Sequence, residues 1–335
     1  MTEPICRIDV DKGLLLFRGI DATRLAANNS FVEVLDLIVT GVFPNSTRVL
    51  EITKKMAAFT DMAQNLLQGL FDEKPKECEE PLSSFLERMP EIAKELNLSL
   101  FDSLLMFVTY IPIILTRSWR LMQEREPLLP DSGISHPSNI LQMLDATNDI
   151  EDFECCLILH MDDPNNPSLT TLENELAKGV NPFKALQSTL SVHVDTLHHG
   201  AGTQAMRMIN ELRNEKDIRA ALNTILSEGG KIYGLGHRIY RTIDPRAAIL
   251  SNMLRRRSQG TDLQWLHNTI EEVVREGTSL LIEKKSKIVY PNVDLYNAAV
   301  YSTFGIDAEF NTYLFAIARS AGWMAHIIEH LEPPI

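Results

Sequence analysis

The chain has 335 residues, of which 44 % are hydrophobic, so it can bury a large core and form two domains. Its formal net charge of −13 and pI near 5.2 exclude the broad basic face that nucleic-acid binding requires. We find no apolar run that approaches the ~20 residues needed to cross a bilayer, and we expect no membrane contact.

The start of the chain and its cysteines indicate where the protein works. Its first ten residues resemble neither a secretory signal nor a transit peptide, so we expect a cytoplasmic protein. The four cysteines have no metal-ligand spacing, and we expect them to be reduced packing residues.

The N-terminal half is predicted to be helical after a short hairpin. Asp11-Lys12-Gly13 is a turn signal between the apolar stretches of residues 5–17, which predicts two paired strands. Ser30 and Glu33 have capping-box spacing ahead of a helix, and Pro44 is expected to end that helix. Helical periodicity predicts further helices at residues 48–68, 82–96, 103–122 and 139–145, with Pro112 marking a kink or break.

The first candidate site residues follow an apolar helix end at residues 155–160. His160 and Ser168 flank a proline-broken loop that also contains Asp162 and Asp163. A histidine beside two carboxylates is compatible with a metal site, but the ligand spacing is absent, and a capped helix terminus explains the residues better. We therefore expect no metal here.

A second group of histidines lies at residues 193–199. His193, His198 and His199 suggest zinc by residue type, but no His-Glu-x-x-His arrangement is present. The pattern of a metalloprotease is therefore missing.

The stretch 231–257 carries the strongest signal. Gly234 and Gly236 free the backbone around Leu235, so the loop can approach a ligand closely and present His237 directly after it. Seven basic residues and one acidic residue lie between positions 231 and 257, which indicates an anionic ligand. Arg246 follows a proline suited to a first helical turn, and its guanidinium is a rigid fork for carboxylate or phosphate.

Two further polar residues lie near predicted helices in the C-terminal part. Asp294 stands where a loop enters a helix, so it is either a helix cap or a functional carboxylate. Arg319 interrupts the apolar face of the amphipathic helix predicted at residues 312–330, and a buried arginine must be paired.

Several of these segments together resemble one family. Gly-Leu-Gly-His-Arg-Ile-Tyr-Arg-Thr-Ile-Asp-Pro-Arg-Ala closely resembles the Gly-x-Gly-His-Arg-x-Tyr…Asp-Pro-Arg-Ala signature of the citrate synthase family. The Leu-Ile-Leu-His that ends at His160, the Pro-Asn-Val-Asp that ends at Asp294 and the Phe-Ala-Ile-Ala-Arg that ends at Arg319 are also similar to family segments. The chain departs from the family at Asp163, where the family has a second histidine, and at His199, where it has glycine.

The resemblance implies an all-α, two-domain fold with a small N-terminal β-hairpin, working as a homodimer. Residues 1–198 and 300–335 would form the large domain. Residues 199–299 would form the small domain with the coenzyme A and substrate loop.

The resemblance also implies residue roles. Asp294 would be the catalytic base, His198 would hydrogen-bond the enolate oxygen, and His237 would polarise the oxaloacetate carbonyl. A one-residue shift in alignment would instead make His199 the residue that hydrogen-bonds the enolate oxygen. The remaining implied contacts are His160, Ser168, Arg246 and Arg319 to substrate, and Gly234, Leu235 and Gly236 to coenzyme A.

The implied activity is an acyl transfer that condenses acetyl-CoA with oxaloacetate to give citrate and free coenzyme A, with no cofactor besides the thioester substrate. Two alternatives remain at this point. One is a 2-methylcitrate or other alkylcitrate synthase that uses a longer acyl-CoA, and the other is a catalytically weakened paralogue with a binding or regulatory role.

Overall fold

A computed structural model describes residues 3–147, 149–195, 200–236, 243–285 and 288–332. Within these ranges the chain is mostly helical, with one small sheet near its N-terminus. The predicted helical fold class is therefore confirmed.

The chain divides into two compact units. The first unit contains residues 1–7, 16–195 and 313–335, and the second contains residues 8–15 and 196–312. The domain bounds predicted from the sequence stay a prediction.

The described elements are numbered in chain order. The strands are β1 (Cys6–Asp9), β2 (Leu14–Phe17) and β3 (Ile20–Asp21). The helices before residue 195 are α1 (Ala22–Asn28), α2 (Phe31–Thr40), α3 (Ser46–Leu66), α4 (Glu80–Glu95), α5 (Leu100–Met122), α6 (His136–Leu144), α7 (Ile150–Leu159), α8 (Pro167–Ala177) and α9 (Pro182–Val194). The later helices are α10 (Ala201–Leu212), α11 (Ile218–Ser227), α12 (Pro245–Ser258), α13 (Gln264–Lys285), α14 (Asn297–Ser302) and α15 (Asn311–Leu331), and 3₁₀ turns lie at Val293–Leu295 and Ala308–Phe310.

The predicted hairpin is part of a three-stranded sheet. Gly13, with φ of 64°, lies between β1 and β2 as the turn signal predicts. The third strand, β3, pairs antiparallel with β2, with Leu16 opposite Asp21 and Phe17 opposite Ile20. Two residues are too few to produce an alternating pattern, which is why the sequence did not predict β3.

Helix α2 begins as predicted and ends earlier than predicted. The Ser30 side chain accepts a hydrogen bond from the Glu33 amide, and the Glu33 carboxylate accepts one from the Ser30 amide at 2.7 Å. The helix ends at Thr40 because Gly41 adopts a left-handed conformation, with φ of 74°, and its amide donates to the Leu37 carbonyl at 2.8 Å. The prediction that Pro44 ends this helix was wrong.

Helix α5 is a buried core element of the first unit, where it packs against α3, α4 and α6. It continues without a break through Pro112, and the Thr116 hydroxyl donates to the Pro112 carbonyl at 2.7 Å. Its 23 residues are long and apolar enough for a membrane span, so the expectation that no such run exists was wrong. Burial of 78 % of its most apolar window inside the protein accounts for this composition, because a core helix needs apolar residues on most sides.

Helix α15 is fixed to the loop that follows α7. The Asp162 carboxylate is completely buried, and its Oδ2 accepts a hydrogen bond from His326 Nε2 at 2.8 Å. One turn earlier on α15, Gly322 lies so close to the Met161 carbonyl that a side chain would collide with it. The loop and the helix therefore form one packed interface within the first unit.

Three carboxylates determine the charge of His326. Burial acts to lower its pKa, but the attraction and hydrogen bond of Asp162, with smaller contributions from Glu173 and Glu329, raise the pKa above the usual value. The protonated imidazole is therefore favoured in the folded protein.

We predict that the stabilising effect of His326 depends on pH. Because its pKa is raised in the folded state, the stabilisation is fully present below the unfolded pKa of about 6.5 and disappears as the pH rises through the folded pKa. The urea midpoint of His326→Gln should therefore lie furthest below wild type at about pH 6, with a smaller difference at about pH 9. His330→Gln, at an exposed position of the same helix, is the control, and a pH-independent deficit in His326→Gln would contradict the assignment.

Candidate active site

In the first unit, His160 occupies the position directly after α7. The residue caps the helix and is fully buried. Its Nδ1 lies 2.6 Å from the Cys156 carbonyl, and its ring meets the Phe315 ring edge-on, with centroids 4.3 Å apart. These contacts fix the orientation of the imidazole without any ligand.

Arg319, on α15, lies directly beside His160. Its side chain is only 1 % exposed, and its Nε donates to the His160 carbonyl at 3.0 Å. The fold therefore joins two of the predicted substrate residues, which are 159 positions apart in the chain. A buried guanidinium that is already oriented is suited to binding a planar carboxylate through two parallel hydrogen bonds.

Ser168 has a different set of neighbours in the same unit. Its hydroxyl donates to the Asn166 side chain at 2.6 Å, which caps α8. The hydroxyl also lies 3.4 Å from Nδ1 of His193, a fully buried residue whose ring packs edge-on against Trp323. Sequence reasoning treated His193 only as a metal candidate, whereas the structure makes it a packing neighbour of Ser168.

In the second unit, Asn292 connects the predicted glycine loop to the predicted catalytic carboxylate. Its amide donates to the Gly234 carbonyl at 2.9 Å, and its side-chain nitrogen donates to the Gly236 carbonyl at 2.8 Å. Its side-chain oxygen accepts from the Asp294 amide at 2.9 Å. One asparagine thus holds residues that are almost sixty positions apart in the sequence.

The glycine loop is largely hydrogen-bonded within the protein. The Gly236 amide donates to the Tyr290 carbonyl at 2.8 Å, and Leu235 forms an isolated antiparallel bridge with Pro291. Since both glycine carbonyls also accept from Asn292, most polar backbone groups of this loop already have partners. The predicted coenzyme A contacts at residues 234–236 stay a prediction.

Gly234 is required for two separate reasons. Its φ of +80° lies in the left-handed region that side chains disfavour. A Cβ at this position would also lie 2.5 Å from the Leu295 Cβ and 2.7 Å from the Leu295 Cα, which is backbone and cannot rotate away. The close approach keeps the loop against the turn that carries Asp294.

Asp294 is the middle residue of the 3₁₀ turn Val293–Leu295, and its side chain is half-buried. Its amide is held by Asn292, so the carboxylate does not serve as the N-cap of this turn; Asn292 does. The alternative interpretation of Asp294 as the helix cap is therefore excluded for this element.

Arg246 is paired inside the protein. Asp244 caps α12 and accepts from the Arg246 amide at 3.0 Å, and it also accepts from the guanidinium Nε at 3.1 Å and one terminal nitrogen at 2.9 Å. Both residues are nearly inaccessible to solvent, at 1 % and 2 % exposure. Burying this arginine requires such a partner, so Asp244 holds the charge and sets the plane of the fork.

The remaining predicted catalytic residues, His198 with its alternative His199 and His237, lie outside the described residues. Their positions stay a prediction. In the part of the chain that the structure does describe, no group of three His, Cys, Asp or Glu side chains forms a metal site.

Sequence reasoning missed the residues that hold the predicted site residues and their neighbours in place. Asn292 and Asp244 had a local signal, because each lies two residues before the residue it holds and caps the turn or helix that follows. His326 had no such signal, since its partner Asp162 is 164 positions away.

The comparison with known proteins decides the family. The family model described as "Citrate synthase, C-terminal domain" matches residues 1–333 of the chain. The chain belongs to the citrate synthase family. Accordingly, it is a citrate synthase-type acyltransferase whose reaction condenses acetyl-CoA with oxaloacetate, and coenzyme A enters as a substrate rather than as a cofactor.

Individual relatives agree along most of their length. A citrate synthase from Acidithiobacillus ferridurans is 28 % identical over 342 residues, covering 98 % of this chain and 88 % of the relative. The crystal structure of citrate synthase from Thermotoga maritima MSB8 has a TM-score of 0.82 at 27 % identity, covering 98 % of this chain and 88 % of that one.

A third relative carries ligands. Citrate synthase from Thermoplasma acidophilum, solved as a ternary complex with carboxymethyl coenzyme A and oxaloacetate, has a TM-score of 0.86 and covers 99 % of this chain and 90 % of that one. At 21 % identity, this similarity supports the citrate synthase fold alone.

We predict that Gly234→Ala damages this citrate synthase more than Gly229→Ala. Both glycines have φ near +80°, but a Cβ at Gly229 meets nothing within 4 Å, so the second variant isolates the backbone strain. That strain costs about 1–2 kcal/mol, and the collision with Leu295 adds about 1–3 kcal/mol. Urea unfolding and turnover of both variants check the difference, and equal losses would mean that the loop is not held against Leu295.

Proposed function

We propose that Asp294 is the base of this citrate synthase and removes a proton from the methyl group of acetyl-CoA. The observation that carries the proposal is the pair of Asn292 contacts, to the glycine loop and to the Asp294 amide. They support a carboxylate of fixed position beside the loop that the resemblance assigns to coenzyme A. Proton abstraction by a prepositioned base avoids the entropy cost of bringing the groups together.

The chemical difficulty is that a thioester methyl group is a very weak acid beside any carboxylate. The enolate must therefore be stabilised as it forms, and we assign this to His198, or to His199 in the shifted alignment, as hydrogen-bond donor to the enolate oxygen. A donor of this kind lowers the barrier when it is oriented beforehand, and removing one typically costs about 3 kcal/mol.

Oxaloacetate is the electrophile in this proposal. His237 polarises its keto carbonyl, while Arg246 and Arg319 bind its carboxylates, with His160 and Ser168 nearby. The buried, preoriented guanidinium of Arg319 supports this assignment. Since Arg246 already pairs with Asp244, a substrate carboxylate at Arg246 shares or replaces that partner. The enolate carbon attacks the polarised keto carbon and forms a citryl thioester. Hydrolysis of that thioester then releases citrate and coenzyme A.

The broader setting of the enzyme is also part of the proposal. The resemblance supports a homodimer whose small domain, residues 199–299, carries the substrate loop. The cytoplasmic location stays a prediction from the sequence.

The acyl preference is tested with a thiol-release assay on oxaloacetate and acetyl-, propionyl- and butyryl-CoA. We expect the highest kcat/KM with acetyl-CoA, and each added methylene should shift it by about 10- to 200-fold at most. A preference for a longer acyl group would identify an alkylcitrate synthase. No release with any thioester would identify a weakened paralogue.

We predict that Asp294→Asn lowers kcat about 10²- to 10⁴-fold while the protein stays folded, because the amide cannot accept the proton. The control is Asp307→Asn, which removes an exposed carboxylate that caps another turn of the same unit. Circular dichroism monitors folding and the thiol-release assay monitors turnover. Near-wild-type turnover in Asp294→Asn would refute the assignment of the base.

The two histidine alignments make opposite predictions. If His198 donates to the enolate, His198→Ala should lose about 10²- to 10³-fold in kcat and His199→Ala much less, and the shifted alignment reverses the order. Single-turnover assays of both variants decide between them. Equal, mild losses would contradict both alignments.

A further inference from the structure

The first unit contains a cavity of about 270 Å³ that lies between α3, α5, α6 and the start of α2. None of its lining residues belongs to the candidate active site. Most of the wall is apolar and is formed by Val32, Val49, Met56, Ala57, Pro112, Ile113, Ile134, Pro137 and Met143. A cavity of this size and lining suits a small organic molecule.

One carboxylate faces this cavity from α7. Glu154 lines it, and its Oε1 accepts from the Phe31 amide at 2.6 Å. Its Oε2 accepts no hydrogen bond from the described residues. Burial, together with repulsion from Glu33, raises the pKa of Glu154, which is the behaviour of a carboxylate without a cationic neighbour.

A histidine adds an acceptor to the same cavity. His136 begins α6, and its ring packs against the Phe31 ring with centroids 4.9 Å apart. Burial lowers the pKa of His136 to about 4, so the ring is neutral near pH 7. Its buried Nε2 has no hydrogen-bond partner among the described residues, and it offers a lone pair when the ring proton is on Nδ1.

Four of the other polar groups of the wall already use a donor within the protein. The hydroxyls of Thr53, Thr60 and Thr109 each donate to a carbonyl of their own helix at 2.8–2.9 Å. Both ends of the Asn139 amide are bound to the backbone of Asp131. No lysine or arginine is among the lining residues. Apart from the hydroxyls of Ser132 and Ser135, the wall therefore offers acceptors rather than donors.

We propose that this cavity binds a small organic monoamine in its protonated form, with the ammonium group at Glu154 and His136 and the apolar body against the aliphatic wall. An ammonium brings three donors to a wall that has few of its own, and it neutralises a half-buried carboxylate. An anionic ligand meets Glu154 without a compensating cation. A neutral alcohol leaves the charge of Glu154 uncompensated.

Binding of three probes that share a phenylethyl group tests the ligand class on the full chain. Isothermal titration calorimetry at neutral pH compares 2-phenylethylamine, 2-phenylethanol and 3-phenylpropanoate. We expect binding of the amine alone. Equal binding of all three, binding of the anion in preference, or no binding of the amine would overturn the proposal.

Variants then test the site itself. Glu154→Gln should weaken amine binding at least about tenfold, because the ammonium loses its negatively charged acceptor. The matched control is Glu151→Gln, which removes an exposed carboxylate of the same helix outside the cavity lining. It should leave the affinity almost unchanged.

A variant that fills the space provides independent evidence. Ala57→Phe places a ring in the cavity and should abolish amine binding, with thermal melts confirming that the variant is folded. Undiminished binding in either Glu154→Gln or Ala57→Phe would place the amine elsewhere and refute the site. Because the readout is binding, these results do not depend on the proposed roles of the catalytic residues.

Discussion

The three hydrogen bonds of Asn292 are the constraint on which the second unit's part of the site depends. They join the carbonyls of Gly234 and Gly236 to the amide of Asp294, so that loop and turn move as one piece. The asparagine carboxamide presents a donor nitrogen and an acceptor oxygen on separate atoms at this short reach. The close contact between Gly234 and Leu295 reinforces the same junction. The position of the Asp294 turn is therefore set by hydrogen bonds between Asn292 and backbone groups, and not by the long side chains that meet substrate.

Three buried charged groups follow a common rule, because each is buried together with a fixed partner. Asp162 pairs with His326, Asp244 pairs with Arg246, and Arg319 donates to a backbone carbonyl. Removing a charge from water is costly, and the cost is recovered only when geometry and hydrogen bonding are good. In our proposal two of these partners, Asp244 and His160, also lie where substrate binds. They allow ionic groups to remain in a dry interior with one orientation each.

The sequence predicted features that arise from local signals and missed those that arise from tertiary contacts. The capping box of Ser30 and Glu33 lies within one turn, and the structure contains it. The end of α2 was misplaced because Gly41 and Pro44 are both plausible stops, and only the backbone conformation distinguishes them. Contacts such as that between Asp162 and His326 connect the middle of the chain with its last described helix, and no local pattern encodes them.

The candidate site was predictable to the extent that a motif is contiguous. Asp294 and the glycine loop belong to short recognisable segments, but their union through Asn292 required the fold. Asp244 had a local capping signal, but the burial of Arg246 against it could not be predicted from the sequence. Periodicity does not reveal which side chains at the start of a helix point into the protein.

Helix α5 is as apolar as a membrane span, and this affects the folding of the chain during synthesis. Until its packing partners cover it, this helix exposes a long apolar surface that promotes aggregation or chaperone binding. Two of its packing partners, α3 and α4, precede it in the chain and therefore leave the ribosome first. The order of synthesis thus places α3 and α4 ahead of the most apolar segment, whereas α6 and the Tyr313 ring of α15 follow it.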